Sequence, residues 1–299
     1  MKRPAVGMDA RPPEDAGWID ALGFVPRKGS WVACSGDRFY KLFRRSNDPV
    51  DDWLDPTCIE NARREHDDML LLHRFVEHAC VPLQRDHGCV VYARLSGPDL
   101  REMLRRRGTG KAERAGALRD ALSLLARLHD IDADAISRYP LKDYGVGGHL
   151  RPDAEVLRRI RERPRTLCIE GFEVRNFRFD QRLGAWCFFD PQIMSRGTPE
   201  NDLARFVVSL LMVNWGKGGS TRIWRDFQVD ELVSAYERGA ARSVDPMLLN
   251  YFVHETIAMR RHFAERALRT LRGARRILGR PYLSAYFLQL ERWAARHEF

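Results

Sequence analysis

The sequence lacks the marks of several broad classes. None of its six cysteines (Cys34, Cys58, Cys80, Cys89, Cys168 and Cys187) forms a Cys-x-x-Cys pair, and none stands at zinc-ligand spacing from a histidine. Most sit inside apolar runs, so free buried thiols in a reducing compartment are expected rather than a disulfide or zinc framework. No long hydrophobic run is present. The longest, Phe206 to Trp215, is broken by Ser209 and Asn214, far short of the ~20 apolar residues that a bilayer requires. The stretch MKRPAVGMDARPPEDAG has no apolar core and no small-residue cleavage site. It reads as a polar tail, residues 1–18, and a cytoplasmic location is expected. Repeats at solenoid periods and low-complexity segments are also missing.

What is present suffices for a folded protein. The chain has 299 residues, 44% hydrophobic and 30% charged, enough for one large domain or two lobes with a sizeable core. Fifty Lys and Arg against 41 Asp and Glu leave a net charge of +9. That excess favours acidic partners such as phosphates, nucleic acid or anionic lipid and is silent on fold.

Strands dominate the first part of the chain. SWVACS and RFYKLF flank Gly36-Asp37, a hairpin signal. An Asp- and Pro-rich loop is expected from Ser46 to Pro56, then a helix from about Ile59 to His78. CVVYARL reads as a strand closed by Ser96-Gly97-Pro98. The pattern turns helical there, so the expected division is a small lobe over 19–96 and a large one over 97–299. Asp99 can cap a short helix, LREMLRRR, and the run Arg114 to His129 places Leu118, Ala121, Leu122, Leu125 and Leu128 on one face. Between Asp130 and Pro164 a loop with one charged helix is expected. Phe177-Arg-Phe and Ala185-Trp-Cys-Phe-Phe form a second hairpin, and helix dominates from Asn201 onward. Strands first and helices later predict an α+β chain of two unlike lobes.

Two groups of residues carry candidate chemistry. Asn176 precedes the second hairpin and Asp190 follows it, so the two share its open end. An amide oxygen beside a carboxylate suits Mg²⁺, although both residues are also ordinary strand-end types. In RFYKLF, alternation puts Phe39, Lys41 and Phe43 on one face. Glu65 lies on the apolar stripe of the following helix with Ala62, Met69, Leu72 and Val76, and Lys41 would serve as its cation. Glu60 instead precedes Arg63 and Arg64 and reads as solvated. Lys41 and Glu65 would also serve as a structural ion pair. Joined to an Asn and an Asp, they make the phosphate-and-metal set of phosphoryl transfer.

These segments, in this order over about residues 20 to 235, resemble the protein-kinase-like superfamily, most closely its aminoglycoside-phosphotransferase and lipopolysaccharide-core-kinase branches. RFYKLF is similar to the strand bearing the phosphate-binding Lys, NARREHDDMLLL to the helix bearing its Glu, and VVYARLSGPDLREML to the hinge. LSLLARLHDI, VRNFRFD and FFDPQIMSRGTPENDLARF resemble the helix ending in Leu-His, the metal-binding Asn, and the metal-binding Asp with its later Asp-Leu-Ala. The resemblance implies a two-lobed kinase-like fold that binds ATP and Mg²⁺ and acts on a hydroxyl of a sugar, antibiotic or glycolipid. It assigns Lys41, Glu65, Gly29 and Tyr92 to the nucleotide, Asn176 and Asp190 to the metal, and Asp202 to bracing the catalytic loop. The alternative is a pseudokinase that binds nucleotide or scaffolds without turnover.

The sequence departs from that pattern in two places. The base Asp, expected five residues before the metal Asn, is replaced by Gly171 in CIEGFEVRN. Of the flanking Glu170 and Glu173, Glu173 is the expected substitute base. The Gly-rich loop falls at Arg27-Lys-Gly-Ser-Trp with Gly29 as its sole glycine. Arg27 and Lys28 would compensate by charge, and Phe39 stands where a small residue over adenine is usual. His129 reads as a core or turn histidine, and Trp186, Phe188 and Phe189 as core.

From Arg260 to Arg280 the sequence holds eight Arg and one Glu. Phe263, Ala267, Leu271, Ala274 and Leu278 fall on one face, so one amphipathic basic helix packed on the core is expected. Its other reading is a contact with an anionic substrate or a peripheral membrane surface. A nucleic-acid partner is not expected, since neither aromatic interleaving nor a recognised motif accompanies the Arg residues.

Overall fold

The computed structural model describes residues 17–133, 141–143, 146–191, 194–216, 224 and 227–297. The chain divides into two compact units. One holds the described residues up to Leu71 together with Cys80–Arg94, and the other holds Leu72–Ala79 and the residues from Leu95 onward.

The first unit is built on a five-stranded antiparallel sheet of order β1-β2-β3-β5-β4. Its strands are β1 (Val25–Arg27), β2 (Ser30–Ser35), β3 (Arg38–Phe43), β4 (Pro82–Asp86) and β5 (Cys89–Ala93). Gly36 adopts φ +56° and Gly29 φ +78°, which lets two-residue turns join Ser35 to Arg38 and Arg27 to Ser30. Helix α1 (Gly17–Leu22) sends Ile19 into a core with Trp31, Leu42, Trp53 and Cys89, and Trp18 packs edge-on against Trp53.

The Asp- and Pro-rich segment expected as loop contains helix α2 (Pro49–Leu54). The same residues are helix-start signals: Asp48 caps the Val50 amide and Pro49 occupies the first turn. Asp52 turns inward and accepts hydrogen bonds from Trp31 Nε1 at 2.7 Å and from the amides of Arg45 and Ser46 at 3.0 and 2.7 Å. Helix α3 (Pro56–Phe75) follows and buries Ala62, Met69 and Leu72 completely.

The second unit is mostly helical. It comprises α4 (Leu100–Arg105), α5 (Lys111–His129), α6 (Ala154–Glu162), α7 (Pro199–Leu211), α8 (Val229–Glu237), α9 (Pro246–Thr270) and α10 (Ala274–Ala294). Asp99 caps α4 through the Glu102 amide at 2.6 Å, and Leu118, Ala121, Leu122, Leu125 and Leu128 are buried together on α5. The second hairpin is β8 (Phe177–Asp180) with β9 (Ala185–Phe188).

Three short strands were not expected from the sequence: β6 (Lys142–Asp143), β7 (Thr166–Ile169) and β10 (Met194–Gly197), ordered β6-β10-β7. At two to four residues they are too short to display a period of their own.

The single basic helix over Arg260–Arg280 is corrected to two. Helix α9 stops at Thr270, Gly273 takes φ +58°, and α10 begins at Ala274. Leu271 leaves α9 in extended backbone, and Gly273, at a positive φ that glycine adopts at little cost, turns the chain into α10 as its N-cap. Nor does the predicted apolar face pack on the core, since Phe263, Leu271 and Leu278 are exposed.

Candidate functional site

In the sheet unit, β3 pairs with both β2 and β5, so Lys41 sits in the middle of the sheet opposite Val32 and Val90. Its ammonium meets Glu65 Oε2 at 2.5 Å, with side-chain exposures of 14% and 7%. The other carboxylate oxygen accepts the Tyr92 hydroxyl at 2.6 Å. Tyr92, assigned to the nucleotide by resemblance, thus has its hydroxyl engaged by Glu65, a link that sequence reading missed. The ammonium also lies 5.1 Å from the Phe43 ring centroid, a cation–π contact. A buried carboxylate that receives both a cation and a hydroxyl is fixed in position, and it holds the lysine in turn. Glu60 is exposed and paired with Arg63. Gly29 lies in the exposed β1–β2 turn, with open space where a side chain would point.

In the helical unit, the segment from Glu170 to Asn176 is anchored from several sides. The Ile169 amide donates to Asp202 Oδ2 at 2.6 Å, and the Val174 amide donates to Ser209 Oγ at 3.1 Å. Arg205 reaches the Glu170 carbonyl at 3.2 Å. Phe172 is fully buried and packs against Phe177, Phe188 and Phe206 with ring centroids 4.8, 5.3 and 5.8 Å away. Phe177, Trp186 and Phe188 of this hairpin are buried, as expected for Trp186 and Phe188, whereas Phe189, also expected in the core, is half-buried at the strand end and Leu183 is exposed in the turn.

Asp202 has the bracing position expected of it. It is fully buried, and its Oδ2 also faces His129 Nε2 at 3.4 Å. His129 is a buried core histidine whose Nδ1 lies 2.9 Å from the Tyr236 hydroxyl. Folding brings Cys168 beside both, with ligand atoms of the three residues within 4.8 Å of one another. The Cys168 thiol donates to the Thr198 carbonyl at 3.4 Å, and burial pushes its pKa well above the ordinary thiol value. Of the six cysteines, only Cys34 is exposed.

Asn176 and Asp190 meet the hairpin as the spacing predicts. Phe177 pairs with Phe188, and the Phe189 amide donates to the Asn176 carbonyl at 3.0 Å. The Asn176 side-chain amide donates to the Gly171 carbonyl at 2.7 Å, which turns its Oδ1 to other partners. Asp190 adopts φ +62°, a left-handed conformation that costs a non-glycine residue free energy and is concentrated at functional sites. An amide oxygen and a carboxylate at one hairpin end are hard-oxygen donors, so this set fits Mg²⁺.

Gly171 is buried where the base would stand. Glu173 is also buried, and both of its oxygens are engaged: Oε1 by Arg260 of α9 and Oε2 by Arg175 Nε at 2.9 Å. Action as a base would require one of these pairs to open. The Arg260 partner, 87 residues away in sequence, carried no local signal.

No protein-family model matches the sequence, and no curated protein matches it. Solved structures do match in fold. A choline/ethanolamine kinase family protein from Mesorhizobium loti is 16% identical, with a TM-score of 0.54 over 93% of this chain and 89% of that one. A choline kinase from Streptococcus pneumoniae is 12% identical, with a TM-score of 0.56 over 93% of this chain and 96% of that one. A spectinomycin phosphotransferase in complex with ADP and spectinomycin is 13% identical, with a TM-score of 0.55 over 91% and 92%. The likeness spans nearly the whole chain, and the protein has the kinase-like α+β fold of these phosphotransferases.

Proposed function

We propose that the protein is an ATP- and Mg²⁺-dependent phosphotransferase acting on a hydroxyl of a small acceptor. The observation that carries the reading is the Lys41–Glu65 pair, which ties the central strand of the small sheet to α3 and is completed by Tyr92. In this reading Lys41 neutralises the α- and β-phosphates, Glu65 orients it, and the Gly29 turn with Arg27 and Lys28 covers the phosphates. Asn176 and Asp190 would hold Mg²⁺, which when bound neutralises charge on the transferred phosphoryl group. Asp202 and Ser209 keep the loop in place through its amides. The acceptor oxygen bonds to the γ-phosphorus as the bond to the ADP oxygen breaks. Glu173 is the loop carboxylate that would take the hydroxyl proton once a guanidinium pair opens. Arg175 and Arg260 share the one carboxylate of Glu173, and the surplus positive charge favours an acceptor that carries an anionic group, such as a sugar phosphate or glycolipid, over a polycationic antibiotic.

A second reading, nucleotide binding without turnover, draws support from Gly171 at the base position and from the doubly paired Glu173. A thermal-shift titration with ATP tests both. The melting temperature is expected to rise with ATP and to rise further with Mg²⁺, and no shift at saturating ATP would remove both readings. Phosphate transfer over a panel of hydroxyl acceptors then separates them.

A further inference from the structure

The end of α9 and the start of α10 form a projecting helical hairpin. The last buried residue of α9 is Ile257 and the first of α10 is Leu283, so none of the described residues between them is fully buried. The two helices touch closely at Gly279, where an added Cβ would lie 2.6 Å from Leu268 Cδ1. The glycine thus lets the two helices approach closely there.

The surface of this hairpin combines two features that are seldom found together on a solvated helix. The first is apolar: Ile277 and Leu278 are 72% and 70% exposed, and Phe263 and Leu271 are 48% and 41% exposed. Adjacent aliphatic side chains this open to water mark an interaction surface. The second is cationic. Arg266, Arg269, Arg272, Arg276 and Arg280 are all exposed, and no carboxylate among the described residues lies within ion-pair distance of them. Arg261, nearer the core, is paired with Glu265 and Glu291. The unpaired positive charge therefore collects toward the tip, around the exposed Ile and Leu.

We propose that this hairpin docks on an anionic lipid surface, with Ile277, Leu278 and Leu271 entering the headgroup–acyl boundary and the surrounding Arg residues binding lipid phosphates. Charge complementarity selects the occupant. An interface that is both anionic and apolar satisfies the two features at once, whereas a nucleic acid would use the arginines and leave the aliphatic residues in water. Neither helix is long and apolar enough to cross the membrane, so the contact is peripheral. The inference does not depend on nucleotide binding.

The test is co-sedimentation of the full chain with vesicles of phosphatidylcholine alone and of phosphatidylcholine with roughly one-third phosphatidylglycerol. The wild type is expected to partition onto the anionic vesicles, to be released by salt, and to ignore the neutral ones. Two variants separate the contributions: Ile277→Asn with Leu278→Asn, and Arg269→Gln with Arg272→Gln and Arg276→Gln. Each is expected to lower partitioning at least ~10-fold, with the far-ultraviolet spectrum and melting temperature of the wild type, since every altered side chain is exposed. No binding of the wild type to anionic vesicles at low salt would overturn the proposal, as would undiminished binding by the Ile277/Leu278 variant. Tighter retention on duplex DNA or RNA, sensitive to the Arg changes alone, would overturn it in favour of a nucleic-acid partner.

Discussion

The cluster around Lys41 and the loop around Gly171 handle charge in opposite ways. At Lys41 one cation meets one carboxylate, a hydroxyl completes the carboxylate, and all three groups come from adjacent elements of the sheet unit. At Gly171 the local acid, Glu173, is clamped by two arginines, one of them from a helix far along the chain. The first arrangement keeps a lysine ordered while leaving it able to meet an anionic ligand. The second ties a loop down and engages Glu173, two residues past Gly171. In the proposed reading Lys41 and Glu65 would grip phosphate, while Gly171 leaves the base position without an acid. Since phosphoryl transfer depends chiefly on positioning and charge neutralisation, that combination is compatible with slow chemistry or with binding alone.

The largest expected effect lies on the loop side. Asp190→Asn should reduce turnover ~10³-fold and weaken Mg·ATP binding far more than metal-free ADP binding, measured by calorimetry with and without Mg²⁺. Equal losses for the two ligands would remove the metal assignment and with it half of the comparison.

Next in size is Asp68, one turn beyond Glu65 on α3. Burial, the largest cause, pushes its carboxyl from 3.8 up to about 6, with Asp67 and Glu65 adding to the rise and Arg64 and Arg63 opposing it. The folded state therefore holds a proton that the unfolded chain has lost, and stability falls as pH rises from about 4 to about 6. Asp68→Asn should raise stability by up to about 3 kcal/mol at pH 8 and by nothing below about pH 4. A melting-temperature series over pH reads this directly, and a gain of the same size at every pH would refute it. Two acids of one helix would then be distinguished: Glu65 paired for a purpose, Asp68 tolerated at a cost.

Glu173→Gln should destabilise the protein by roughly 2 kcal/mol. This is less than the ~3–5 kcal/mol expected for breaking a fully buried pair, because Arg175 is 47% exposed. Denaturant unfolding of this variant, of Arg260→Gln and of the double variant should show strong non-additivity. If Glu173 also serves as the base, the variant loses turnover ~10²-fold with ATP affinity nearly unchanged, while Glu170→Gln does neither. The smallest effect is the coupling of Lys41 to Glu65. A double-mutant cycle on ATP affinity should exceed ~0.5 kcal/mol, and additive losses would reduce the pair to a structural ion pair.

Much of this was legible in the chain. The alternation of RFYKLF placed Lys41 on one face of a strand, and the period of α3 placed Glu65 on a buried stripe, because both patterns repeat within one element. The two hairpins announced themselves by their turn residues, and Asn176 and Asp190 followed from counting outward from one turn. Helix α2 was hidden because Asp, Pro and Asp serve loops and helix starts alike. The basic segment misled because a helical wheel stays amphipathic through Leu271-Arg272-Gly273, and only the glycine says that the rod ends.

By itself, then, the sequence determined the local geometry: which side chains share a strand face, a helix stripe or a hairpin end, and where glycine permits a tight turn. These follow from backbone periodicity and sterics over a few residues. Only the tertiary structure decided which distant groups complete each cluster. It placed Tyr92 on Glu65, Arg260 on Glu173 and Asp202 on the Ile169 amide, and it left Ile277 and Leu278 in solvent. The reason is that burial and charge pairing are properties of the packed chain: a wheel shows that a face is apolar, and only packing shows whether anything covers it.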